Sequence, residues 1–565
     1  MTVDRDKRKE TSAVALADKD MLAAIAVTRF GLGAKPGEIA EAARDPHGFL
    51  RAQIRRSGAD QPPGQPVTSR ERMGEFRDYQ RERREARLEK TADVRPAAAA
   101  PANGADPTMA DARPKRRDVA DPVKAVGNML REDISSDFTA RTQLAASTDA
   151  AFRERWTLFW ANHFTVSATK AITGTVVGPF EQEAIRPNVF GHFEDLLGAA
   201  ESHPAMLTYL DQIQSIGPDS QFASMQRRGG PFGVGARPQQ AALRSPGLNE
   251  NLAREIMELH TVGVNGGYTQ ADVTQVARVF TGWTFQSPQQ APGQYQRVGF
   301  MFDPKKHEPG PKEVLGHTIK DAGMDEGMQV LEMLSRSPAT AKFVCTKLAR
   351  RFVSDDPPPA LVKQMSETFL SSDGDIRAVL RTMFHSKEFW STAVYRKKVK
   401  TPLEFVASAL RATGTDVQNP GAAVQALAKM GMPLYQMAPP TGYSTAADVW
   451  MNSDALLDRL NFSLALTSGG QNGLKFDPLR VLTLGLLTRA PKEEIVPVNT
   501  SGGSEAAVAL IEDALIGGET SKTTNEAIHK EMNDPQIAAH LSDDPGKALG
   551  TIIGLALGSP EFQLR

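Results

Sequence analysis

The pattern of hydrophobic and polar positions along the chain is mostly that of α-helices. Apolar residues recur at i, i+3, i+4 and i+7, which places them on one face of a helix. This spacing predicts helices over 150–164, 252–262, 270–285, 326–335, 340–353, 361–370, 375–390, 402–413, 421–430, 453–467, 504–516 and 546–558. Strand-like alternation is scarce, and the Gly- and Gln-rich stretch 215–248 lacks any period, which predicts a long loop. We therefore predict an all-α fold, a multi-helix array of helix hairpins with little or no sheet.

Local signals mark where two of these helices begin. Thr401 is placed to cap a helix whose first position is Pro402 and whose third is Glu404, the arrangement of a capping box. Thr269 and Asp272 form a similar box, with aspartate in the carboxylate role. Both boxes predict helix starts at these threonines.

The pattern also divides the chain into five segments. Residues 1–20 are expected to form a flexible N-terminus, and residues 21–55 to form helices that pack on the main body. Residues 56–120 are rich in Pro, Ala and charge, which predicts a partly disordered insertion. Its stretch RERMGEFRDYQRERREARLEK could form a charged helix, but it offers few apolar anchors. Residues 121–320 are expected to form a helical core, and residues 321–565 the C-terminal helical part of the same body.

Composition narrows the class of protein. The chain is 40% hydrophobic and 24% charged, values typical of globular proteins. Its net charge of −1 argues against a broad nucleic-acid surface, which would be strongly basic. No apolar run approaches the roughly 18 residues that a membrane-spanning helix needs. The single cysteine, Cys345, lies in an apolar helical run and is expected to be a buried, inert thiol.

The N-terminal residues predict the location of the protein. Their one apolar run, Met21–Val27, is shorter than the core of a signal peptide and lacks a cleavage site after it. The expected location is therefore the cytoplasm. The periplasm is the alternative, if a signal-bearing partner carries the protein across.

The stretch 249–285, NENLAREIMELHTVGVNGGYTQADVTQVARVFTGWTF, has the highest density of candidate chemistry. On a helical wheel its polar arc contains Glu250, Asn251, Arg254, Glu255 and Glu258. His260 falls instead among the apolar residues of the opposite arc. Because residues two apart face different ways on a helix, Glu258 and His260 cannot hold one metal ion together. The Glu-x-x-His and His-Glu-x-x-His metal motifs are also absent.

Two interpretations of this stretch stay open. In the first, an i, i+4 ladder of Glu250, Arg254 and Glu258 covers one face of an αα-hairpin, and Gly263 ends its first helix in a left-handed conformation. In the second, the polar face points inward. Each buried carboxylate then needs a partner, and the network is either a site or a structural clamp.

Further candidates lie outside the hairpin. His163 shares a helix face with two tryptophans in RERWTLFWANHFTVS. A histidine there is usually a hydrogen-bonded core residue, but it is the best partner for the acidic hairpin. Glu181, Glu183 and Arg186 are spaced as an ion-pair rung. His307 lies in a polar loop, where functional histidines are common.

Motifs for nucleotide or dinucleotide cofactors are missing. The sequence has no Gly-x-x-x-x-Gly-Lys-Ser/Thr phosphate loop, no Gly-x-Ser-x-Gly elbow and no strand-linked Gly-x-Gly-x-x-Gly. No such cofactor is expected, and the sequence identifies neither another cofactor nor a metal.

Several blocks resemble a bacterial family, domain of unknown function 1800, in the order in which that family has them. They are WANHFTV, IRPNVFGHFEDLL, HPAMLTYLD, NENLAREIMELHTVGVNGGYTQADV, FTGWTF, KVKTPLEFVASALRATG and SPEFQLR. The residues that match its motifs are His163, Arg186, Asn249, Asn251, Arg254, Glu255, Glu258, His260, Tyr268, Asp272 and Trp283. The resemblance implies a helical protein without an assigned activity. It also implies a partner, because members are often encoded beside a sulfatase-like family, domain of unknown function 1501.

Three features depart from the family pattern. The usual His-Asp pair is His307-Glu308 here, which keeps an acid in place. The usual Pro-Pro-x-Val-x-Gly-Trp block is weakened to PPTGYSTAADVW, so a site built on that tryptophan is in doubt. Many members carry export signals, whereas no such signal is readable here.

These residues support two functional hypotheses. The first is a non-enzymatic helical scaffold or accessory partner of a sulfatase-like protein. The second is a hydrolase or metal-assisted enzyme with Glu255 or Glu258 as general base and His260, His163 or His307 as ligand or acid. The other matched residues would then form a binding or buried polar network around that site.

Overall fold

The protein is helical in the part that the structure describes. The computed structural model describes residues 18–64, 66–92, 122–227, 247–285, 299–481, 483, 511, 515–516, 520–532, 534–535 and 544–565. Most of these residues lie in helices, and their strands form only short two-stranded pairs. The all-α prediction is confirmed. None of the described helices is long and apolar enough to cross a membrane.

The α-helices of the first half of the chain are short to medium in length. They are Asp18–Ala24, Glu38–Ala42, Pro46–Arg51, Ser69–Ala92, Pro122–Ser147, Ala151–His163, Ala171–Phe180, Phe193–Glu201, Pro204–Tyr209, Gln221–Arg227, Asn251–Glu255 and Gln270–Phe280. Those of the second half are Met324–Ser335, Pro338–Phe352, Pro359–Ser371, Ile376–His385, Pro402–Ala412, Gly421–Lys429, Ala447–Trp450, Ser453–Thr467, Lys522–Met532, Pro545–Gly558 and Pro560–Gln563. They follow the predicted ranges where a range was predicted, except that the helix predicted over 375–390 ends at His385, and Ala447–Trp450, Lys522–Met532 and Pro560–Gln563 were not predicted.

Three antiparallel strand pairs join neighbouring helices. Trp283–Phe285 pairs with Phe300–Phe302, Lys312–Val314 with His317–Ile319, and Asp416–Val417 with Leu474–Lys475. The first pair corrects the helix predicted over 270–285, because the helix ends at Phe280. Gly282 has a φ of +87°, which an α-helix does not allow, and its carbonyl accepts the backbone N–H of Asp303.

Within the described ranges, three π-helical turns also interrupt the α-helical pattern, at Ile25–Arg29, Glu181–Ile185 and Ile256–His260. Each contains a charged or titratable side chain that is at most 2% exposed, namely Arg29, Glu181 and His260. π-Turns in α-helices often occur at functional sites. The buried side chains of these three turns are therefore candidates for a functional role.

Helices also lie within the predicted insertion, where a charged helix was considered, and within the predicted 215–248 loop. Ser69–Ala92 is a helix within the proposed insertion, and its start is anchored on the body by buried Met73 and Phe76. The rest of its surface is largely exposed, as the shortage of apolar anchors predicts. Gln221–Arg227 is a short helix within the predicted 215–248 loop. The remainders of both segments (93–121 and 228–246), residues 1–17 and most of the helix predicted over 504–516 lie outside the described residues.

The Ala151–His163 helix occupies the centre of the core. Nearly all of its residues are buried, including Trp156 and Trp160, so it has no solvent face to hold its charged residues. Its Arg153, Glu154 and Arg155 are each at most 2% exposed. A buried charge without a partner is strongly destabilising, so the fold around this helix has to supply counter-charges.

The counter-charge for Arg155 is Glu404, at the start of the Pro402–Ala412 helix. Arg155 Nε donates to Glu404 Oε1 at 2.8 Å, and Arg351 Nη2 lies 2.6 Å from the same oxygen. Arg565 also contacts this oxygen. The other oxygen accepts from the backbone and side chain of Thr401, which forms the predicted capping box. One carboxylate therefore binds three arginines and caps a helix.

Arg155 extends this cluster to the N-terminal helices. Its Nη1 donates to the carbonyl of Arg29 at 2.8 Å, and its Nη2 donates to the carbonyl of Arg351 at 2.9 Å. Burial by itself would raise the pKa of Glu404. The positive charges of Arg351, Arg565 and Arg155 have the larger effect, and the pKa of Glu404 is well below its usual value of 4.5.

We predict that Glu404→Gln will destabilise the protein by about 3–5 kcal/mol, because it leaves three buried guanidinium groups without a counter-charge. The urea midpoint measured by circular dichroism should fall markedly. Glu367→Gln is the matched control, since Glu367 is exposed and pairs only with Lys363 at 3.8 Å; its midpoint should stay near that of the unsubstituted protein. Equal midpoints for the two variants would contradict the prediction.

We also predict a pH dependence for this cluster. The folded-state pKa of Glu404 is depressed, so its contribution is complete above the unfolded pKa of about 4.5 and is lost as the pH falls through the folded value. The midpoint difference between the unsubstituted protein and Glu404→Gln should be constant from pH 7 to 5.5 and shrink below pH 4.5. A difference that grows on acidification would disprove this assignment.

Candidate functional site

The segment richest in candidate residues is a helix hairpin with an irregular first helix. Asn251–Glu255 is α-helical, but the predicted α-helix over 252–262 continues as the π-turn Ile256–His260. Thr261 Oγ1 donates to the carbonyl of Ile256 at 2.6 Å, and Gly263 ends the segment with a φ of +82°. The left-handed end at Gly263 is as predicted.

The outward face of the hairpin is the predicted ion-pair ladder. Arg254 lies 3.4 Å from Glu250 and 3.0 Å from Glu258, and these side chains are between 24% and 37% exposed. From the second helix, Gln270 and Thr274 donate to Glu250 at 2.8 and 2.7 Å. The acids of this face are therefore saturated by neighbours on the same hairpin.

The inward face places His260 in the core, as the helical wheel predicts. His260 is fully buried, and its Nδ1 lies 2.6 Å from Oε1 of Glu201, which is also fully buried. Glu201 ends the Phe193–Glu201 helix. This imidazole–carboxylate contact joins the hairpin to that helix, and Glu258 takes no part in it.

His163 adjoins this pair from the central helix. Its Nε2 lies 3.1 Å from the carbonyl oxygen of His260. A carbonyl oxygen only accepts, so Nε2 carries the proton. Burial, together with the charge of Lys347 and the nearby His260, holds the pKa of His163 well below 6.5. The ring is therefore neutral at pH 7, and its Nδ1 is a buried acceptor without a hydrogen-bond partner among the described residues.

Glu255 lies between the two faces of the hairpin. It is half-buried, and burial raises its pKa despite attraction to His260, while the charges of Glu258 and Glu201 raise it further. Burial and a hydrogen bond to Glu258 raise the pKa of Tyr268 to about 12. A carboxyl group with a raised pKa suits a general acid, whereas the sequence-based hypothesis assigns Glu255 or Glu258 the role of general base.

The asparagines and Asp272 hold the ends of the hairpin. Asn249 accepts the backbone N–H of Asn251 at 2.9 Å and donates to the carbonyl of Asp211 at 3.2 Å. Asp272 forms the predicted capping box with Thr269 and also accepts the backbone N–H of Leu315 at 2.8 Å. Asn251 itself is exposed. These contacts are structural and converge on no common point.

Arg186 belongs to a second, separate cluster. It binds Glu154 through two hydrogen bonds of 2.8 Å and lies 2.5 Å from Glu181. Glu181 also accepts from Tyr435 at 2.8 Å and lies 3.3 Å from Arg141. Although burial opposes it, the carboxylates of Glu154 and Glu181 raise the pKa of Arg186. The cluster corrects the simple rung predicted within 181–187, because Glu183 pairs instead with His203.

His307 and Trp283 lie in a third cluster. Trp283 is 1% exposed and packs edge-on against Phe280 and Phe300. His307 Nε2 lies 3.0 Å from Glu326, and its Nδ1 lies 2.8 Å from the carbonyl of Thr281. The imidazole thus ties the loop at 303–311 to the Met324–Ser335 helix.

This third cluster also contains a set of atoms with metal-ligand spacing. Ligand atoms of His307, Asp321 and Glu326 all lie within 4.8 Å of one another. Lys312, however, places its ammonium 2.8 Å from Glu326 and 3.4 Å from His307 Nε2, and its third partner is the carbonyl of Glu308 at 2.6 Å. The Lys312 ammonium therefore already supplies a positive charge next to Glu326 and His307, at the place where a metal ion would supply one.

The sequence candidates are therefore distributed over three clusters rather than one. Sequence analysis missed their main partners, namely Glu154, Glu201, Lys312 and Glu326. The only local signal was the RER triplet directly before the aromatic run of the central helix, since charges embedded in a fully apolar helix have to be buried.

We predict that two arginines of the matched motifs will differ sharply in their effect on stability. Arg186→Gln should cost about 3–5 kcal/mol, because it leaves the buried carboxylate of Glu154 without its ion-pair partner and removes one of the two arginines of Glu181. Arg254→Gln should cost at most about 1 kcal/mol, because its two pairs are partly exposed i, i+4 contacts. Urea denaturation followed by tryptophan fluorescence measures both values. Similar costs for the two variants would show that the distinction between buried and exposed pairs is wrong.

Comparison with known proteins identifies a family and gives no closer relative. The family described as "Protein of unknown function (DUF1800)" matches residues 25–564. No curated protein and no solved structure matches the chain. The family match covers nearly the whole chain and agrees with the resemblance of the motif blocks, and we conclude that the chain belongs to the DUF1800 family.

Proposed function

We propose that this protein is a helical scaffold that acts as the accessory partner of a sulfatase-like protein of the domain of unknown function 1501 family. The partner comes from the family resemblance, since members are often encoded beside such proteins. The scaffold role rests on the pairing of the motif residues, which is a property of this chain.

One observation carries the scaffold role. Apart from Glu255, the charged residues of the family motifs are paired with partners on other helices, as Arg186 is with Glu154, or on the same hairpin, as Arg254 is with Glu258. Groups whose charge and hydrogen bonds are satisfied by one another hold helices in place. A catalytic group, in contrast, must reach a substrate in a cleft. This pattern favours a structural clamp.

A surface for the partner is available near the Ser453–Thr467 helix. Met451 and Leu457 are 44% and 57% exposed and lie six residues apart in the chain. Contiguous exposed apolar surface is typical of protein–protein contacts, and these two side chains are close together in the chain. We assign the partner contact to this surface.

The test is co-purification of the two proteins after co-expression, with a tag on the sulfatase-like partner. We expect this chain to co-purify with the partner, and Met451→Ser/Leu457→Ser to reduce the recovered amount at least fivefold. Leu370→Ser is the control, since Leu370 is 42% exposed on the separate Pro359–Ser371 helix. Fractionation of the same cells separates the expected cytoplasmic location from co-export to the periplasm. A monomeric chain that never co-purifies would disprove the proposal.

A second candidate function is supported by Glu255. Its raised pKa and its place beside His260 and Glu258 suit a general acid in a hydrolase. This alternative expects hydrolysis of a nitrophenyl phosphate, sulfate or carboxylate ester that Glu255→Gln abolishes while Glu250→Gln retains it. Metal analysis of the purified protein tests the metal-assisted form, which requires a stoichiometric transition metal.

A further inference from the structure

A cleft of about 680 Å³ opens beside the end of the central helix. Its walls come from the Ala151–His163 helix, the Pro338–Phe352 helix, the two residues after the Gly421–Lys429 helix and the segment 437–452, which includes the short helix Ala447–Trp450. His163, Lys347 and Arg350 provide its basic and imidazole groups, and Phe159 and Trp450 provide aromatic surface. None of the residues that line the cleft falls within 249–268, the hairpin motif.

The loop wall of the cleft is held in place by the central helix. Asn162 donates to the carbonyl of Tyr443 at 3.0 Å and accepts the backbone N–H of the same residue at 2.8 Å. Gly442 has a φ of +74°, and a Cβ there would lie 2.4 Å from the carbonyl oxygen of Asn162. Trp450 Nε1 donates to the carbonyl of Ser444 at 2.9 Å. The segment PPTGYSTAADVW, which departs from the family pattern, therefore still forms a well-defined wall of the cleft.

The cleft is cationic and lacks its own counter-charge. Its lining contains no aspartate or glutamate. Within the described residues, neither the half-buried Lys347 nor the exposed Arg350 has a carboxylate oxygen within 4.0 Å of its side-chain nitrogens. The ammonium of Lys347 lies 5.3 Å from the centroid of the Phe343 ring. Burial alone lowers the pKa of Lys347 to about 8. His163 adds a buried Nδ1 without a hydrogen-bond partner in this part of the chain.

A smaller, more enclosed cavity of about 60 Å³ adjoins the cleft. The two share Phe159, Asn162, Met437, Tyr443, Ser444 and Thr445 in their walls. The cations of the inner cavity, Arg141 and Arg351, are already paired with Glu181 and Glu404. Its remaining wall is mainly apolar. The cations without a carboxylate partner therefore line the outer cleft, and the mainly apolar surface lines the inner cavity.

We propose that this cleft binds a small organic anion with an apolar part. Its anionic group contacts Lys347 and Arg350, and its apolar part points past Phe159 toward the inner cavity. An anion at this point would neutralise two cations that the fold leaves without a carboxylate partner, and charge-assisted hydrogen bonds of this kind are the stronger ones. The proposal goes beyond the scaffold function and does not depend on it.

The test is titration calorimetry of the full chain with octanoate and phenyl phosphate, using octanol and phenol as their uncharged counterparts. Trp450 gives a second readout through fluorescence quenching. We expect saturable binding of at least one of the anions, weakened about tenfold or more in Lys347→Gln/Arg350→Gln. Lys347→Arg/Arg350→Lys should retain binding. Lys342→Gln is the matched control, because Lys342 is exposed on the same helix and is absent from the cleft wall.

Three results would overturn the proposal. They are no saturable binding of either anion, equal affinity for the uncharged counterparts, and binding that Lys347→Gln/Arg350→Gln leaves unchanged. Circular dichroism confirms that each variant is folded, which is expected because the substitutions remove charges without carboxylate partners. Met451 and Leu457 do not line the cleft, so failure of the partner test and failure of this one are distinguishable.

Discussion

The contact of Glu404 with three arginines is the interaction on which the rest of the fold depends. It joins the central helix through Arg155, the Pro338–Phe352 helix through Arg351 and the last described residue, Arg565. Arg155 in turn binds the carbonyl of Arg29 in the N-terminal helices. Arg155 and Arg565, which are 410 positions apart in the sequence, thus meet at one buried carboxylate. Because desolvation of these groups is costly, the arrangement stabilises only when all of its partners are present.

The same principle explains the other motif residues. The Arg186–Glu154 pair joins the end of the π-turn Glu181–Ile185 to the central helix. The His260–Glu201 pair joins the hairpin to the Phe193–Glu201 helix. Each is buried and each would be costly if broken. A fold built this way specifies one arrangement of its helices, since any other arrangement leaves charges unpaired. Such rigidity suits a scaffold, and it also supplies the fixed walls that a ligand cleft needs.

Local features of the fold could be predicted from the sequence, and long-range ones could not. Helix ranges, the capping boxes at Thr269 and Thr401, the outward ladder and the inward direction of His260 all depend on residues within a few positions of one another. They follow from helical periodicity and capping preferences. The strand at Trp283–Phe285 was missed because its apolar residues also fit the helical period, and only pairing with Phe300–Phe302 decides between the two.

The partners of the candidate residues lie beyond the reach of local patterns. Glu154 and Arg186 are 32 positions apart, and Arg155 and Glu404 are 249 positions apart. The sequence around each of these residues contains no signal that identifies its partner. Lys312 is only five positions from His307 in the sequence. Whether its ammonium reaches the His307–Glu326 pair nevertheless depends on how the loop folds. The assignment of Glu255, Glu258 and His260 to catalysis accordingly stays a prediction.

The π-turns give this chain an unusual intolerance of changes in length. A π-turn fits one residue more than an α-helix has over the same span. Loss of a single residue from Ile256–His260 would close the widened turn and restore ordinary α-helical winding. The residues within the turn would be spaced differently, and the contact of the His260 imidazole with the carboxylate of Glu201 depends on their present spacing. Insertions and deletions should therefore be tolerated in the surface loops of this protein but not in its three widened turns.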